Sequence, residues 1–112
     1  MRTEEYDIVT EAEEQFTLEY NKNGIKFYTN NSMVYCEING NFNIPQLNSW
    51  INLLDINNPK LMNGVANGVS AYDINVKFMM MGNKLQVAST GTTGNKGIVC
   101  SFMYPRGDKT NR

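Results

Sequence analysis

The chain has no histidine. That single absence removes the side chain best suited to proton transfer near neutral pH, and with it the commonest metal ligand. A zinc site would need three or more thiolate or carboxylate ligands, and two widely separated cysteines, Cys36 and Cys100, do not supply one. A cysteine nucleophile would lack its usual base. No metal, no cofactor and no catalytic residue is therefore expected. No apolar run reaches the length of about 18 residues that a membrane-spanning helix requires. The opening MRTEEYDIVTEAEEQ is acidic where a secretory signal is basic and apolar, so the expected location is the cytoplasm, or the host cytoplasm for a phage-encoded chain. Both cysteines are then expected as reduced, buried thiols, with a disulfide left open if their strands are neighbours.

Arginine is also scarce, at three residues, while asparagine occurs seventeen times among 112. The excess of asparagine multiplies the positions able to turn, because its side chain mimics a turn and its backbone tolerates positive φ. The length suits one domain. It is expected over residues 1–104, with an acidic arm at 1–15 and a flexible polar tail at 105–112. The net charge of −1 hides a strong asymmetry. Residues 1–19 carry Glu4, Glu5, Asp7, Glu11, Glu13, Glu14 and Glu19 against Arg2 alone, a balance of −6, and the remainder carries +5. Such an arm marks a basic partner, lies against the domain's own basic surface or is simply solvated.

The main pattern is alternation, the period of a half-buried strand. Phe16, Leu18 and Tyr20 alternate with polar residues, Asn21-Lys22-Asn23-Gly24 turns the chain, and Ile25 and Phe27 resume the pattern. Val34, Cys36 and Ile38 predict a third strand closed by Asn39-Gly40. Tyr72, Ile74, Val76, Phe78 and Met80 predict the longest strand, which turns at Met81–Lys84 into Leu85 and Val87. Ile98, Cys100, Phe102 and Tyr104 predict the last strand, after a polar loop from Thr90 to Lys96. Residues 3–15 fit a strand through Tyr6 and Ile8, or a short helix opened at Thr3.

One helix is expected between these strands. Asn43 would cap it, Pro45 suits a first turn, and Leu47, Trp50, Ile51 and Leu54 fall at i, i+3, i+4 and i+7. Asn57-Asn58-Pro59 would end it. The fold expected is thus α+β: an antiparallel sheet of five to six strands with one short amphipathic helix, anchored by Trp50, on one face.

Several local motifs carry less than they promise. Gly91-Thr92-Thr93-Gly94-Asn95-Lys96-Gly97 has the wrong spacing for a phosphate loop and precedes a strand. Arg106-Gly107-Asp108 and the Asn30-Asn31-Ser32 sequon need an extracellular setting to mean anything. Lys77, Lys84, Lys96, Arg106, Lys109 and Arg112, with Tyr28, Tyr35 and Tyr104 as stacking faces, suggest single-stranded nucleic acid as one reading. The pI of about 5.3 and the lack of a basic stripe weigh against it. Met79-Met80-Met81 is the most unusual feature. On a strand Met80 would join the core, while Met79 and Met81 would point outward, and adaptable methionines suit binding surfaces.

Residues 34–104 resemble small immunity proteins of bacterial polymorphic toxin systems in the layout of VYCEINGNF, LNSWINLL, a glycine-containing linker, then YDINVKFMMMGNKLQVAS and GIVCSFMY. The resemblance implies a sheet-plus-helix domain that blocks a cognate toxin without catalysis, and it assigns no residue a role. It departs from the pattern at the end, where only a basic tail follows. Read without the family, a small domain lacking catalytic side chains is expected to act by occupying a surface. It would be a protein-binding inhibitor, such as an immunity protein or a phage-encoded anti-defence protein, or else a structural subunit of a virion or other homo-oligomeric assembly. For an inhibitor, Glu4, Glu5, Asp7, Glu11, Glu13 and Glu14 would steer a basic partner, a toxin or host defence factor, and Met79 and Met81 would give apolar contact.

Overall fold

The alternation is realised as strands along nearly the whole chain. A computed structural model describes residues 15–108 and sets them in eight strands: β1 (Thr17–Lys22), β2 (Ile25–Thr29), β3 (Met33–Ile44), β4 (Ile51–Asp55), β5 (Gly64–Val69), β6 (Val76–Gly82), β7 (Lys84–Ser89) and β8 (Gly94–Pro105). Two four-stranded antiparallel sheets result, ordered β1-β2-β3-β8 (sheet A) and β4-β7-β6-β5 (sheet B). The pairings β3 with β8, β4 with β7 and β5 with β6 are nested, so one long ribbon crosses between the sheets. The β1–β2 hairpin adds to the free side of β3. Its turn is Asn23-Gly24, both at positive φ (56° and 83°), as a tight two-residue hairpin turn demands.

The fold is therefore all-β and not α+β, and the described residues contain no helix. The expected helix fails for a physical reason. A short helix is held by burying its apolar stripe, and here the inner face of each sheet is already covered by the other. Leu47 and Trp50, half of the stripe, are instead exposed. The segment itself is poor in helix formers, with Asn43, Pro45, Asn48, Ser49 and Asn52. Asn48 adopts φ +59°, and its amide donates to the Ser89 carbonyl at 2.9 Å, which fixes a loop before β4. The one-sheet expectation of five to six strands is corrected with it.

The core lies between the sheets. Sheet A contributes Ile25, Phe27, Val34, Cys36, Ile38, Ile98, Phe102 and Tyr104; sheet B contributes Val76, Phe78, Met80, Leu85 and Val87. Cys36 and Cys100 project into this core as free thiols on neighbouring strands. Burial pushes the Cys36 thiol far above its ordinary value, with Cys100 adding to it, and raises Cys100 to about 11.

The two long sides of the sandwich are closed differently. On one side β5 lies against β8. The inward positions of β5 are Gly64, Ala66 and Gly68, and their small size admits the β8 side chains: a Cβ at Gly68 would come within 2.6 Å of Cys100 Sγ. On the other side an apolar cavity of about 230 Å³ opens between β1 and β4, next to Tyr20, Phe27, Leu54 and Leu61. Glu19, at an irregularity in the β1–β2 register, spans this side, accepting from Thr29 Oγ1 at 2.9 Å and pairing with Lys60 Nζ at 3.1 Å. Of the segment expected as a tail, residues 105–108 are described. The Arg106 amide donates to the Ser32 carbonyl and its Nη1 to the Asn30 carbonyl, both at 2.8 Å, and Gly107 is packed on the Met62 carbonyl. Among the described residues no helix is long and apolar enough to cross a membrane.

Candidate functional site

One end of sheet B gathers three loops. Residues 45–50 carry the chain from β3 to β4, residues 90–93 carry it back from β7 to β8, and residues 70–75 join β5 to β6. The register brings the outward residues nearest this end into one row, Val69, Lys77 and Ala88 on β5, β6 and β7, with Trp50 next to it on the β4 side. Ala88 is short, which leaves room for an indole over β7.

The loop 70–75 is unusual in pairing rigidity with exposure. The Ser70 hydroxyl accepts from the amides of Tyr72 (3.2 Å) and Val99 (3.4 Å), and the Ala71 amide donates to the Val99 carbonyl at 2.7 Å. The Asp73 carboxylate accepts from the Asn75 amide at 3.0 Å, and the Asp73 carbonyl accepts from Val76 at 2.9 Å. The Thr90 amide then ties the Asn75 carbonyl to the next loop at 3.0 Å. These bonds reach over the backbone from both flanks. Yet Tyr72 and Ile74 are 74% and 75% exposed, and Trp50, at the same end of sheet B on its β4 side, is 45% exposed. A backbone fixed in advance removes the loop-ordering cost that a partner covering these side chains would otherwise have to offset.

A groove of about 400 Å³ opens beside Trp50. Trp50 lines it from the β4 side, Val69 from the β5 side, and Lys77 and Met79 from β6; its surface is mainly apolar. A second, smaller depression flanks Trp50 on the side of Asn48, Ala88 and Thr90. The arrangement offers aromatic and aliphatic contact with one cation, Lys77, within it.

The residues expected to bind a partner divide three ways. Met80 is fully buried, while Met79 and Met81 sit on the outer face of sheet B. Met79 joins the Trp50 groove. Met81 lies toward the opposite end, in the row Val65–Met81–Lys84–Asp55, where Lys84 Nζ and Asp55 Oδ1 pair at 2.8 Å. Hydrogen bonds from Lys84 and then Asn52 hold the Asp55 carboxyl below its usual value. Glu4, Glu5, Asp7, Glu11, Glu13 and Glu14 lie outside the described residues.

Trp50, Tyr72 and Ile74 are legible in the sequence only as core residues. Trp50 looks like a helix anchor, and Tyr72 and Ile74 continue the alternation of β6. The signal that separates them is the string Ser70, Asp73, Asn75, three residues whose side chains take over backbone bonding in turns.

Of the three tyrosines suggested as stacking faces, Tyr28 and Tyr35 are half-buried on the outer face of sheet A. Tyr104 is 1% exposed and donates its hydroxyl to the Leu61 carbonyl at 2.8 Å. Lys84 is paired with Asp55, and Arg106 with Asp108. Among the described residues no three His, Cys, Asp or Glu side chains are grouped to hold a metal ion. No family model, curated protein or solved structure matches the chain.

Proposed function

We propose that this chain is a non-catalytic, protein-binding inhibitor, of the kind exemplified by toxin-immunity and phage-encoded anti-defence proteins, and that it engages its partner through the loop end of sheet B. The observation that carries the reading is the loop 70–75: Tyr72 and Ile74, the two most exposed large apolar side chains among the described residues, stand on a backbone held by side-chain and main-chain hydrogen bonds. Interface anchors are enriched in aromatic residues that are set in place before binding. Trp50 and its groove lie at the same end of sheet B, and Met79 supplies an adaptable contact within that groove.

The acidic arm fits the same reading as a source of steering toward a basic partner. The partner is then a protein, the location the cytoplasm, and no cofactor enters.

Parallel purification of the tagged wild type and of a Tyr72→Ser/Ile74→Ser double variant from the source cells tests this. The expected result is one protein recovered near equimolar amount with the wild type and lost from the variant. Equal recovery with both forms, or turnover of a substrate by the pure chain, would overturn the reading.

A further inference from the structure

The outer face of sheet A is the second large apolar surface, and its layout has a symmetry that the opposite face lacks. The register sets Leu18 opposite Tyr28, Tyr28 opposite Tyr35, and Tyr35 opposite Met103. One outward row therefore crosses all four strands with no polar side chain other than the two phenols. Tyr28 and Tyr35 are in ring contact at 5.8 Å, and Phe16 meets the edge of Tyr35 at 6.3 Å. Leu18 and Met103, at the two ends of the row, are each about half exposed. The next outward row reads Asn21, Lys26, Glu37 and Ser101. Among the described residues neither Lys26 nor Glu37 belongs to an ion pair.

We propose that this face docks a second copy of the same chain through a two-fold axis that runs along the strands, midway between β2 and β3. Such an axis lays each row on itself, β1 over β8 and β2 over β3 of the second copy. Leu18 then meets Met103, Tyr28 meets Tyr35, Asn21 meets Ser101, and Lys26 of each copy meets Glu37 of the other. Each contact occurs twice, as a self-complementary interface requires. A pairing by the Trp50 face gives no such match, because Lys77 has no acid in its row or the next.

The size sets the strength. β1 and β2, six and five residues long, limit the overlap with β8 and β3 of the second copy. With about 4.8 Å between strands and about 3.4 Å per residue, the overlapping strands span on the order of 400 Å² per copy. Two copies cover about 800 Å², less than the roughly 1,200 Å² of a standard interface, so a weak, reversible dimer is expected. This inference stands apart from the partner-binding end of sheet B, and either can fail without the other.

Sedimentation velocity of the full chain across a concentration series tests it. The wild type is expected to show a monomer–dimer equilibrium, and Lys26→Glu and Glu37→Lys are each expected to weaken the dimer at least about tenfold by setting like charges opposite one another. In an equimolar mixture of the two variants, the acid introduced at position 26 of one faces the base introduced at position 37 of the other. The remaining Glu37 and Lys26 face each other as in the wild type, so the mixture is expected to restore the dimer as a heterodimer. Thermal melts of each variant monitor the fold separately, because Lys26 and Glu37 are also neighbours within one chain. A wild type that stays monomeric at every concentration, dimers unaffected by either variant, or a mixture that stays monomeric would each overturn the proposal. So would a dimer that forms only after residues 1–14 are removed, which would give the face to the chain's own arm.

Discussion

Gly64 of β5 packs against the ring of Tyr104 of β8, so close that a Cβ at position 64 would clash with the ring's Cδ2 and Cε2. The contact joins the two sheets at the edge where they are not hydrogen-bonded into one, and it explains why a strand carries glycine at inward positions. Gly64→Ala is expected to destabilise the chain by about 3 kcal/mol, because neither the ring nor the strand can retreat within a filled core. Gly97→Ala is the matched control. A Cβ there meets only the Asn41 side-chain oxygen at 3.3 Å, and the cost should stay within about 0.5 kcal/mol. Urea unfolding of both variants checks the difference.

Tyr104 also holds the loop after β4. Its buried hydroxyl donates to the Leu61 carbonyl at 2.8 Å. Tyr104→Phe keeps the packing and leaves that carbonyl without its donor, so a loss of about 1–2 kcal/mol is expected, again read from denaturant midpoints. A change near zero would mean that water replaces the bond.

Acid should loosen the open side of the sandwich first. The hydrogen bond from Thr29 holds the Glu19 carboxyl below its ordinary value of 4.5 against the opposing effect of burial, and Lys60 adds to the lowering. A lowered carboxylate stabilises the fold above its unfolded-state pKa, and that stabilisation disappears as pH falls through the folded-state value. The wild type should therefore lose melting temperature below about pH 4.5 more steeply than Glu19→Gln, which has nothing to protonate at that position. Melting curves from neutral pH into the acid range decide it; parallel curves would contradict the assignment.

The thiols should be silent in the native state. Cys36 and Cys100 are buried, free and shifted toward the protonated form, so a thiol reagent at about pH 8 is expected to label neither until denaturant is added, and then both. Fast labelling of the folded chain would place one of them at the surface.

How far these features can be read in advance depends on what each residue answers to. The β1–β2 and β6–β7 hairpins are legible because Ile25, Phe27, Phe78, Met80, Leu85 and Val87 face a core at period two, and Asn23-Gly24 and Gly82-Asn83 have the turn chemistry their positions need. β5 is illegible because Gly64, Asn67 and Gly68 look like loop residues. The smallness of Gly64 and Gly68 answers to Tyr104 and Cys100, far along the chain, and local propensity holds no trace of that. The helix is a false reading because the spacing of Leu47, Trp50, Ile51 and Leu54 matches a stripe by coincidence, and nothing local states that both inner sheet faces are already covered. The outward placement of Met79 and Met81 is legible from parity alone. The exposure of Tyr72 and Ile74 is not, because alternation continues through them into a loop fixed by Ser70 and Asp73.

The arm offers a kinetic test of the steering role. Once a partner is in hand, reversing the charges of Glu4, Glu5, Asp7, Glu11, Glu13 and Glu14 should slow association and weaken its salt dependence, with a smaller effect on dissociation. Binding that is unchanged after deletion of residues 1–14 would remove the arm from the account.

The most direct test of the account is a photo-crosslinking amino acid placed at position 72, with the same probe at Asn83 in the β6–β7 turn, the opposite end of sheet B, as its control. In the source cells, position 72 is expected to capture one protein in high yield and position 83 little or none. Equal capture from both positions, or capture from position 83 alone, would contradict the assignment of binding to Trp50, Tyr72 and Ile74.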